Sequence, residues 1–259
     1  MSGMKNSNSD DQYSDVWLPA TQRRGTGIPL VCFPPAGAGA GFFRDWHESL
    51  PGFQINPVQI PGREERFSDL PISNAKDIAA SVATAIGRQG WPRISLLGYS
   101  YGALLAFETA CLLEKTERTR VMTLIACARA APQTTPRESV ADWSDGKFLD
   151  YVRDLGGLPP EIEAEPAFLE MLLPVMRADF RANDHYAADP SQKLKAPIIT
   201  VAGSDDLGTA NENEHAWGTR TRADHQLLKV DGGHFFVLEN PTSTFEAIRQ
   251  AASSRDQVS

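Results

Sequence analysis

The sequence predicts an α/β protein built on a mainly parallel sheet with helices on both faces. Short, almost continuously apolar segments alternate with segments whose apolar residues recur at helical spacing, as expected of strands that are buried on both sides. The pentapeptide Gly98-Tyr99-Ser100-Tyr101-Gly102 lies where one predicted strand gives way to a long apolar helix, a position typical of a reactive serine on a sharp turn. We expect the 259 residues to form a single domain.

Six strands and four core helices are predicted in alternation along the chain. The predicted strands are residues 29–33, 53–59, 93–97, 121–126, 198–202 and 226–230. The predicted core helices are residues 42–50, 74–88, 101–114 and 242–252. The polar residues 1–14 and residues 253–259 are expected to be flexible tails.

Residues 131–190 interrupt this alternation. They contain no good strand, but helical patterns at 145–155 and 166–186 flank the turn Leu158-Pro159-Pro160. A helical insertion between two core strands predicts a lid over the carboxyl edge of the sheet, where open α/β sheets bind ligands. Its apolar side chains either pack the lid onto the core or line a substrate channel: Phe168, Leu169, Leu172, Leu173, Val175, Met176 and Phe180.

Composition and charge exclude several classes of protein. The formal net charge of −8 argues against nucleic acid or an anionic membrane surface as the main partner. No apolar run approaches the roughly 18 residues needed to span a bilayer, and residues 1–10 do not form a secretory signal, so we expect a cytoplasmic protein. The cysteines Cys32, Cys111 and Cys127 lie in apolar runs and are predicted to be reduced core residues, and no metal-ligand spacing is visible.

A hydrolytic serine needs a base and an acid that orients the base, and in this kind of fold the chain order is serine, acid, histidine. Of five histidines, His234 alone follows a late predicted strand in a glycine-rich loop and precedes the last helix. We therefore predict that His234 is the base for Ser100. The acid should follow the strand at 198–202, which favours Asp206 and leaves Asp205 as the alternative.

A loop of small residues follows the first predicted strand. Residues 34–41 read Pro-Pro-Ala-Gly-Ala-Gly-Ala-Gly, so their backbone amides can approach a ligand closely. Together with the first helix amide behind the serine, this predicts an oxyanion hole formed by the amides of Ala36 and Tyr101. A dinucleotide-binding fingerprint fits the same glycines poorly, because position 42 is Phe and no acid follows about 20 residues on.

Several further segments point to a known family. They are Phe33-Pro34-Pro35-Ala36-Gly37, Gln59-Ile60-Pro61-Gly62-Arg63-Glu64-Glu65-Arg66, Arg129-Ala130-Ala131-Pro132, residues 172–180 and Gly232-Gly233-His234-Phe235-Phe236. With these segments, residues 29–252 resemble a type II thioesterase, the free-standing α/β-hydrolase that accompanies polyketide synthases and nonribosomal peptide synthetases. Two features depart from that family: tyrosines flank Ser100 where the family usually has GHSMG, and the acid loop lacks the usual proline and valine.

The resemblance implies a monomeric thioester hydrolase that needs no cofactor or metal. Its substrate would be an acyl group on the phosphopantetheine arm of a carrier protein or on coenzyme A, and its role the removal of stalled acyl groups. Product release, general carboxylesterase activity and a catalytically silent partner of a synthase remain alternatives. The candidate acyl-binding residues are Tyr99, Met176, Phe180 and Phe235.

Docking of an acidic carrier protein on this acidic chain would need local positive charge. Candidates near the expected entrance are Arg44, Arg63, Arg66, Arg129 and Arg177. For each of them, solvation or pairing within the molecule is the favoured interpretation.

Overall fold

A seven-stranded sheet forms the centre of the described part of the chain. The computed structural model describes residues 15–133, 135, 137–206 and 215–253. The strands are β1 (Arg24–Gly25), β2 (Gly27–Phe33), β3 (Gly52–Pro57), β4 (Arg93–Tyr99), β5 (Arg120–Cys127), β6 (Ile198–Gly203) and β7 (His225–Val230). Their order across the sheet is β1-β3-β2-β4-β5-β6-β7, and β1 runs antiparallel to β3 while the other pairs are parallel. The predicted parallel sheet is confirmed, and β1 is an addition to it.

Eight α-helices accompany this sheet within the described residues. They are α1 (Trp46–Ser49), α2 (Ala75–Gln89), α3 (Tyr101–Thr116), α4 (Asp145–Asp154), α5 (Pro160–Glu163), α6 (Pro166–Asp184), α7 (Phe236–Glu239) and α8 (Pro241–Ser253). The helix predicted at 42–50 is instead a 3₁₀ turn at Ala40–Phe43 followed by the short α1. The predicted tails 1–14 and 254–259 lie outside the described residues, and Ser253 ends α8.

Successive residues of the central strands face opposite apolar layers. Leu30 and Cys32 of β2 belong to the core cluster that includes side chains of α8, whereas Val31 and Phe33 belong to the cluster that includes side chains of α2 and α3. This arrangement explains why the strand segments are apolar at every position rather than at every second one. The three cysteines are buried and free, as predicted.

Helix α3 lies at the centre of the fold and begins directly after Ser100. Most of its side chains are buried because it packs against the sheet on one side and against α2 and α6 on others. Glu108, a buried acid in this helix, accepts a hydrogen bond from the Tyr186 hydroxyl. Helix α3 is therefore held in place by packing on several sides.

The helices α4, α5 and α6 form the insertion that the sequence predicts between β5 and β6. They share a small apolar cluster of their own, in which Phe148, Val152, Leu158 and Met176 are buried. Helix α6 ends at Asp184, two residues before the predicted end. Among the described residues, no helix has the length and apolar character that crossing a membrane requires.

Candidate active site

Ser100 occupies a strained turn between β4 and α3. Its backbone has φ 52° and ψ −118°, a combination that non-glycine residues rarely adopt and that costs roughly 1–3 kcal/mol. A hydrogen bond to the neighbouring strand β5 fixes this turn: the Ser100 amide donates to the carbonyl oxygen of Cys127 at 2.8 Å. The side chain is consequently lifted out of the sheet at the start of a helix.

The two glycines of the pentapeptide are required by backbone contacts. A Cβ atom at Gly98 would lie 2.2 Å from the carbonyl oxygen of Gly102, and one at Gly102 would lie 2.1 Å from the carbonyl oxygen of Phe33. Both obstacles are backbone atoms, so no rotation of a side chain can relieve them. The GxSxG pattern thus follows from the close packing of β2, β4 and α3 around the serine.

The structure brings Ser100, His234 and Asp206 together. The Ser100 Oγ lies 2.9 Å from His234 Nε2, and His234 Nδ1 lies 2.9 Å from Asp206 Oδ2. Asp206 is buried whereas Asp205 is exposed, so Asp206 is the acid next to the imidazole. An imidazole held between a hydroxyl and a carboxylate can take the hydroxyl proton while the carboxylate stabilises the imidazolium.

Tyr99 holds the loop that carries His234, residues 231–235, which we call the histidine loop. Its hydroxyl donates a hydrogen bond to the carbonyl oxygen of His234 at 2.8 Å, and its ring stacks on Phe235 with centroids 5.9 Å apart. The side chain of Tyr99 is fully buried, and burial raises the pKa of this phenol well above its usual value, so the hydroxyl remains a donor. Tyr99 therefore holds the loop rather than touching the cavity beside the serine.

Ala36 and Tyr101, whose amides are predicted to form an oxyanion hole, both line a cavity beside Ser100. Tyr101 is the first residue of α3, where backbone amides have no acceptor within the helix. Ala36 precedes Gly37, whose amide donates to Asp179 Oδ2 of α6 at 2.8 Å. A helix terminus and a loop thus converge next to Ser100.

A buried ion pair joins this loop to the inserted helices. Arg63 binds Asp179 with two hydrogen bonds, Nη1 to Oδ2 at 2.6 Å and Nη2 to Oδ1 at 3.0 Å, and Arg63 Nη1 also donates to the carbonyl oxygen of Ala38 at 3.1 Å. The two charged side chains are 3% and 0% exposed. Arg63 is therefore a structural residue and not part of a docking surface.

The other arginines considered for docking have varied surroundings. Arg66 pairs with Asp69, Arg177 pairs with Asp145, and Arg129 is buried. Arg44 is exposed. The structure therefore contains an intramolecular ion pair for each of Arg63, Arg66 and Arg177.

A cavity of about 160 Å³ lies beside Ser100. Its walls come from the loop after β2, the start of α3, the segment after β5, the inserted helices and the histidine loop; among the residues that line it are Ala36, Ser100, Tyr101, Arg129, Ala131, Gln133, Tyr151, Val152, Leu155, Phe180, Asn183, His234 and Phe235. Phe180 and Phe235, two of the four predicted acyl-binding residues, line it. Among the described residues, no metal-binding group of three or more His, Cys, Asp or Glu is present.

Met176 and Tyr99, the other two predicted acyl-binding residues, do not line the cavity. Met176 is buried in the apolar cluster of the insertion, and its Cγ would lie 2.8 Å from a Cβ placed at Gly37. It packs the insertion onto the loop of residues 34–41, which we call the oxyanion loop. The sequence did not reveal the wall formed by α4, because an amphipathic pattern does not show which core element the apolar face meets.

Polar side chains occupy one part of the cavity wall. Arg129 is 9% exposed and its Nη1 donates to Asn183 Oδ1 at 2.5 Å. Burial, and then the nearby positive charge of Arg137, lower the pKa of Arg129 to about 10. Burial raises the pKa of Tyr101 well above its usual value, so this phenol also stays protonated.

Comparison with known proteins identifies the family to which the chain belongs. The family model for the thioesterase domain matches residues 28–252. The chain belongs to the thioesterase family. It is 32% identical over 213 residues to thioesterase PikA5 of Streptomyces venezuelae, covering 81% of this chain and 75% of that protein. It is 29% identical to the gramicidin S biosynthesis protein GrsT of Aneurinibacillus migulanus, covering 91% and 93% of the two chains.

A solved thioesterase structure shares the fold of this family member. The type II thioesterase BorB from the borrelidin biosynthetic cluster superposes with a TM-score of 0.81 at 29% identity, covering 92% of this chain and 98% of that chain. The fold is that of the α/β-hydrolases, which confirms the prediction made from the strand, elbow and helix pattern.

Proposed function

We propose that this thioesterase is a type II enzyme of polyketide or nonribosomal peptide biosynthesis that hydrolyses short acyl thioesters on carrier proteins. The observation that carries the proposal is the Ser100, His234 and Asp206 array, with 2.9 Å between each pair of neighbouring polar atoms, beside a small cavity. The names of GrsT, a gramicidin S biosynthesis protein, and of BorB, a type II thioesterase from the borrelidin biosynthetic cluster, support the type of pathway.

The first half of the reaction forms an ester on Ser100. The Ser100 Oγ bonds to the thioester carbonyl carbon while its proton passes to His234 Nε2, and the amides of Ala36 and Tyr101 stabilise the oxyanion. The carbon–sulfur bond then breaks, and the imidazolium returns its proton to the departing thiolate. Because a thiol has a pKa near roughly 8.5, it leaves readily and needs little further activation.

The second half of the reaction hydrolyses this ester. His234 takes a proton from water, whose oxygen bonds to the acyl carbon, and the bond to Ser100 Oγ breaks as the serine regains a proton. The products are a free carboxylic acid and a restored enzyme. Asp206 keeps the imidazole in the tautomer that presents Nε2 to the serine.

We favour removal of stalled acyl groups over release of a finished product. The likeness to BorB, a type II thioesterase, supports this role. In this proposal the protein acts as a monomer in the cytoplasm, with an acyl or peptidyl carrier protein as its partner and no cofactor.

Replacement of the nucleophile tests this function directly. Ser100→Ala should lower kcat for hydrolysis of an acetyl or propionyl carrier-protein thioester by at least about 10⁴-fold, since such losses follow removal of a serine nucleophile. Wild-type protein should react with a fluorophosphonate probe and should prefer the thioester to the matching oxygen ester. Retained activity in the variant would refute the role of Ser100, faster oxygen-ester turnover would indicate a carboxylesterase, and absent labelling of folded wild-type protein would indicate a catalytically silent partner.

The neighbouring aspartates provide a matched pair of variants for the acid. Asp206→Asn should lower kcat by about 10³- to 10⁴-fold, because the amide donates to His234 Nδ1 and stabilises the wrong tautomer. Asp205→Asn removes the same charge from the adjacent residue, which is exposed, and should leave kcat within about twofold of the wild-type value. Steady-state kinetics on one thioester measure both, and a larger loss in the Asp205 variant would overturn the assignment of the acid.

A further inference from the structure

Glu64 has a backbone conformation that glutamate rarely adopts. Its φ is 49°, in the left-handed region where a side chain is strained. Among the described residues, three other non-glycine residues have a positive φ: Ser100, Glu117 and Ala128. Ser100 carries the proposed nucleophile, Ala128 lines the cavity beside it, and Glu117 is a left-handed cap at the end of α3. Neither helix termination nor the cavity accounts for the strain at Glu64.

The carboxylate of Glu64 lies against the oxyanion loop. Its Oε1 accepts a hydrogen bond from the Gly41 amide at 2.9 Å. A Cβ atom placed at Gly39 would lie 2.3 Å from Glu64 Cδ, and one placed at Gly41 would lie 2.8 Å from Glu64 Oε1. The missing side chains at positions 39 and 41 therefore leave the space that this carboxylate occupies.

The oxyanion loop depends on contacts from outside to hold one conformation. Glycine stands at every second position from 37 to 41, which gives the backbone wide conformational freedom, whereas an amide that stabilises an oxyanion must be in place before the reaction. Asp179 binds the Gly37 amide and Arg63 binds the Ala38 carbonyl oxygen. Glu64 adds a third contact at the far end of the loop.

Arg63 and Glu64 are adjacent in sequence, yet both side chains contact this one loop. Successive side chains of an extended segment point in opposite directions. Arg63 has extended backbone angles, with φ −144° and ψ 157°, and the change to a positive φ comes at Glu64. The strained residue is thus the one whose side chain must turn back to the loop.

We propose that Glu64 is a positioning residue, which holds the oxyanion loop and with it the Ala36 amide in the geometry that stabilises the oxyanion. It acts through the loop and does not touch the acyl group. The inference rests on the proposed function, and it adds a residue to the machinery of that site.

Replacement by glycine separates positioning from stability, because it removes the carboxylate and also relieves the strain. Glu64→Gly should lower kcat for an acetyl carrier-protein thioester by about tenfold, leave KM within about twofold and leave the melting temperature within about 3 °C of wild type. Glu117→Gly is the matched control, since Glu117 has φ 53° and lies at the opposite end of α3 from Ser100. Its kcat should not change, and an unchanged kcat in Glu64→Gly would overturn the proposal.

Two amide variants distinguish the contact from the charge. Glu64→Gln keeps an oxygen that can accept from the Gly41 amide, so it should retain at least about a third of the wild-type kcat. Glu65→Gln removes a negative charge from the adjacent exposed residue and should leave kcat within about twofold of wild type. A tenfold loss in Glu65→Gln would show that charge near the site sets kcat, and would overturn the proposal.

A change on the loop side tests the same contact while Glu64 stays in the chain. Gly39 has φ −113°, which alanine adopts without strain, but the added Cβ displaces the Glu64 carboxylate. Gly39→Ala should lower kcat by at least about fivefold, and adding it to Glu64→Gly should cost no more than about a further twofold. Independent losses that multiply would overturn the proposal, as would an unchanged kcat in Gly39→Ala if Glu64→Gly does not fold.

Binding of ethyl trifluoromethyl ketone reports on the oxyanion site without any thioester. Ser100 Oγ bonds to the ketone carbon, its proton passes to His234 Nε2, and the carbonyl electron pair moves onto the oxygen, which becomes the oxyanion. Calorimetry should give a dissociation constant about tenfold higher for Glu64→Gly than for wild type, and an unchanged one for Glu117→Gly.

The ketone also separates this inference from the proposed function. If wild-type protein hydrolyses no thioester but Glu64→Gly binds the ketone about tenfold more weakly, the proposed function fails and the role of Glu64 stands. If wild-type protein hydrolyses thioesters and Glu64→Gly matches it in turnover and in ketone binding, the role of Glu64 fails and the function stands.

Discussion

The two amides of the proposed oxyanion hole are held in place in different ways. The Tyr101 amide belongs to the elbow, the turn between β4 and α3, where Gly98 and Gly102 allow backbone atoms to pack without intervening side chains. The Ala36 amide belongs to the oxyanion loop, whose next residue, Gly37, is bound by Asp179 of α6. One donor is therefore fixed by the core, and the other by a charged contact with the inserted helices.

This difference shows how the inserted helices can influence the chemistry without supplying a catalytic side chain. Asp179 is fully buried and binds both Arg63 and the Gly37 amide. A displacement of α6 would therefore move the oxyanion loop, whereas the elbow would keep its geometry. We expect substitutions in the elbow to affect folding and catalysis together, and substitutions in the ion pair to allow the two effects to be separated.

The largest effect is expected at the elbow. Gly102→Ala places a Cβ atom 2.1 Å from the carbonyl oxygen of Phe33, so β2 and α3 must separate and the oxyanion site opens. We expect a loss of at least about 3 kcal/mol in the free energy of unfolding and a drop in kcat of at least about 10³-fold. Chemical denaturation and steady-state kinetics on one thioester measure these quantities.

Gly87 provides the control for this prediction. It lies inside α2, and an added Cβ would meet no atom within 4 Å. Gly87→Ala should therefore raise the free energy of unfolding by about 0.5–1 kcal/mol through helix propensity and leave kcat unchanged. A Gly102→Ala variant as stable and active as this control would show that the elbow tolerates expansion.

An intermediate effect is expected at the ion pair that holds the oxyanion loop. Asp179→Ala leaves Arg63 buried without its partner and should cost about 3–5 kcal/mol of stability. The double variant Arg63→Met with Asp179→Leu removes both charges and should regain most of that stability. It still lacks an acceptor for the Gly37 amide, so kcat should remain about 10- to 100-fold below that of wild type with little change in KM.

A surface ion pair between α6 and the 3₁₀ turn Val140–Asp142 serves as the control. Arg181 and Asp142 form an exposed ion pair at 3.0 Å, and exposed pairs contribute at most about 1 kcal/mol. Asp142→Ala should therefore leave stability and kcat nearly unchanged. If the double variant at the buried pair recovered wild-type kcat along with its stability, the pair would have a structural role only, and the oxyanion loop would not depend on α6.

The elbow and the order of the three triad residues could be predicted because they depend on local sequence. Gly98 and Gly102 are dictated by contacts within one strand-turn-helix unit, and His234 was singled out by a glycine-rich loop after a strand. The choice between Asp205 and Asp206 needed coordinates, because adjacent residues of a turn point in different directions, and only the structure shows that Asp206 is buried and contacts His234.

The contacts of the inserted helices could not be predicted from local patterns. Arg63 and Asp179 are 116 residues apart, and the charge of each favours a solvated position in the absence of the other. Arg129 was considered for the surface for the same reason, and its burial follows from how α6 and the segment after β5 pack. The role of Met176 was likewise ambiguous, because an apolar helix face is compatible with both packing and lining a cavity.

The smallest effect is expected at Tyr99, which connects the elbow to the histidine loop. Tyr99→Phe removes the donor to the His234 carbonyl oxygen, a bond of 2.8 Å, and leaves the ring stacked on Phe235. We expect a loss of about 1 kcal/mol in stability and a decrease in kcat of about two- to fivefold, because the imidazole is held less firmly. Since Tyr99 does not line the cavity, the ratio of the kcat/KM values for acetyl and butyryl carrier-protein thioesters should not change. A shift in that ratio would mean that Tyr99 contacts the acyl group, as the sequence suggested, and that the histidine loop moves during the reaction.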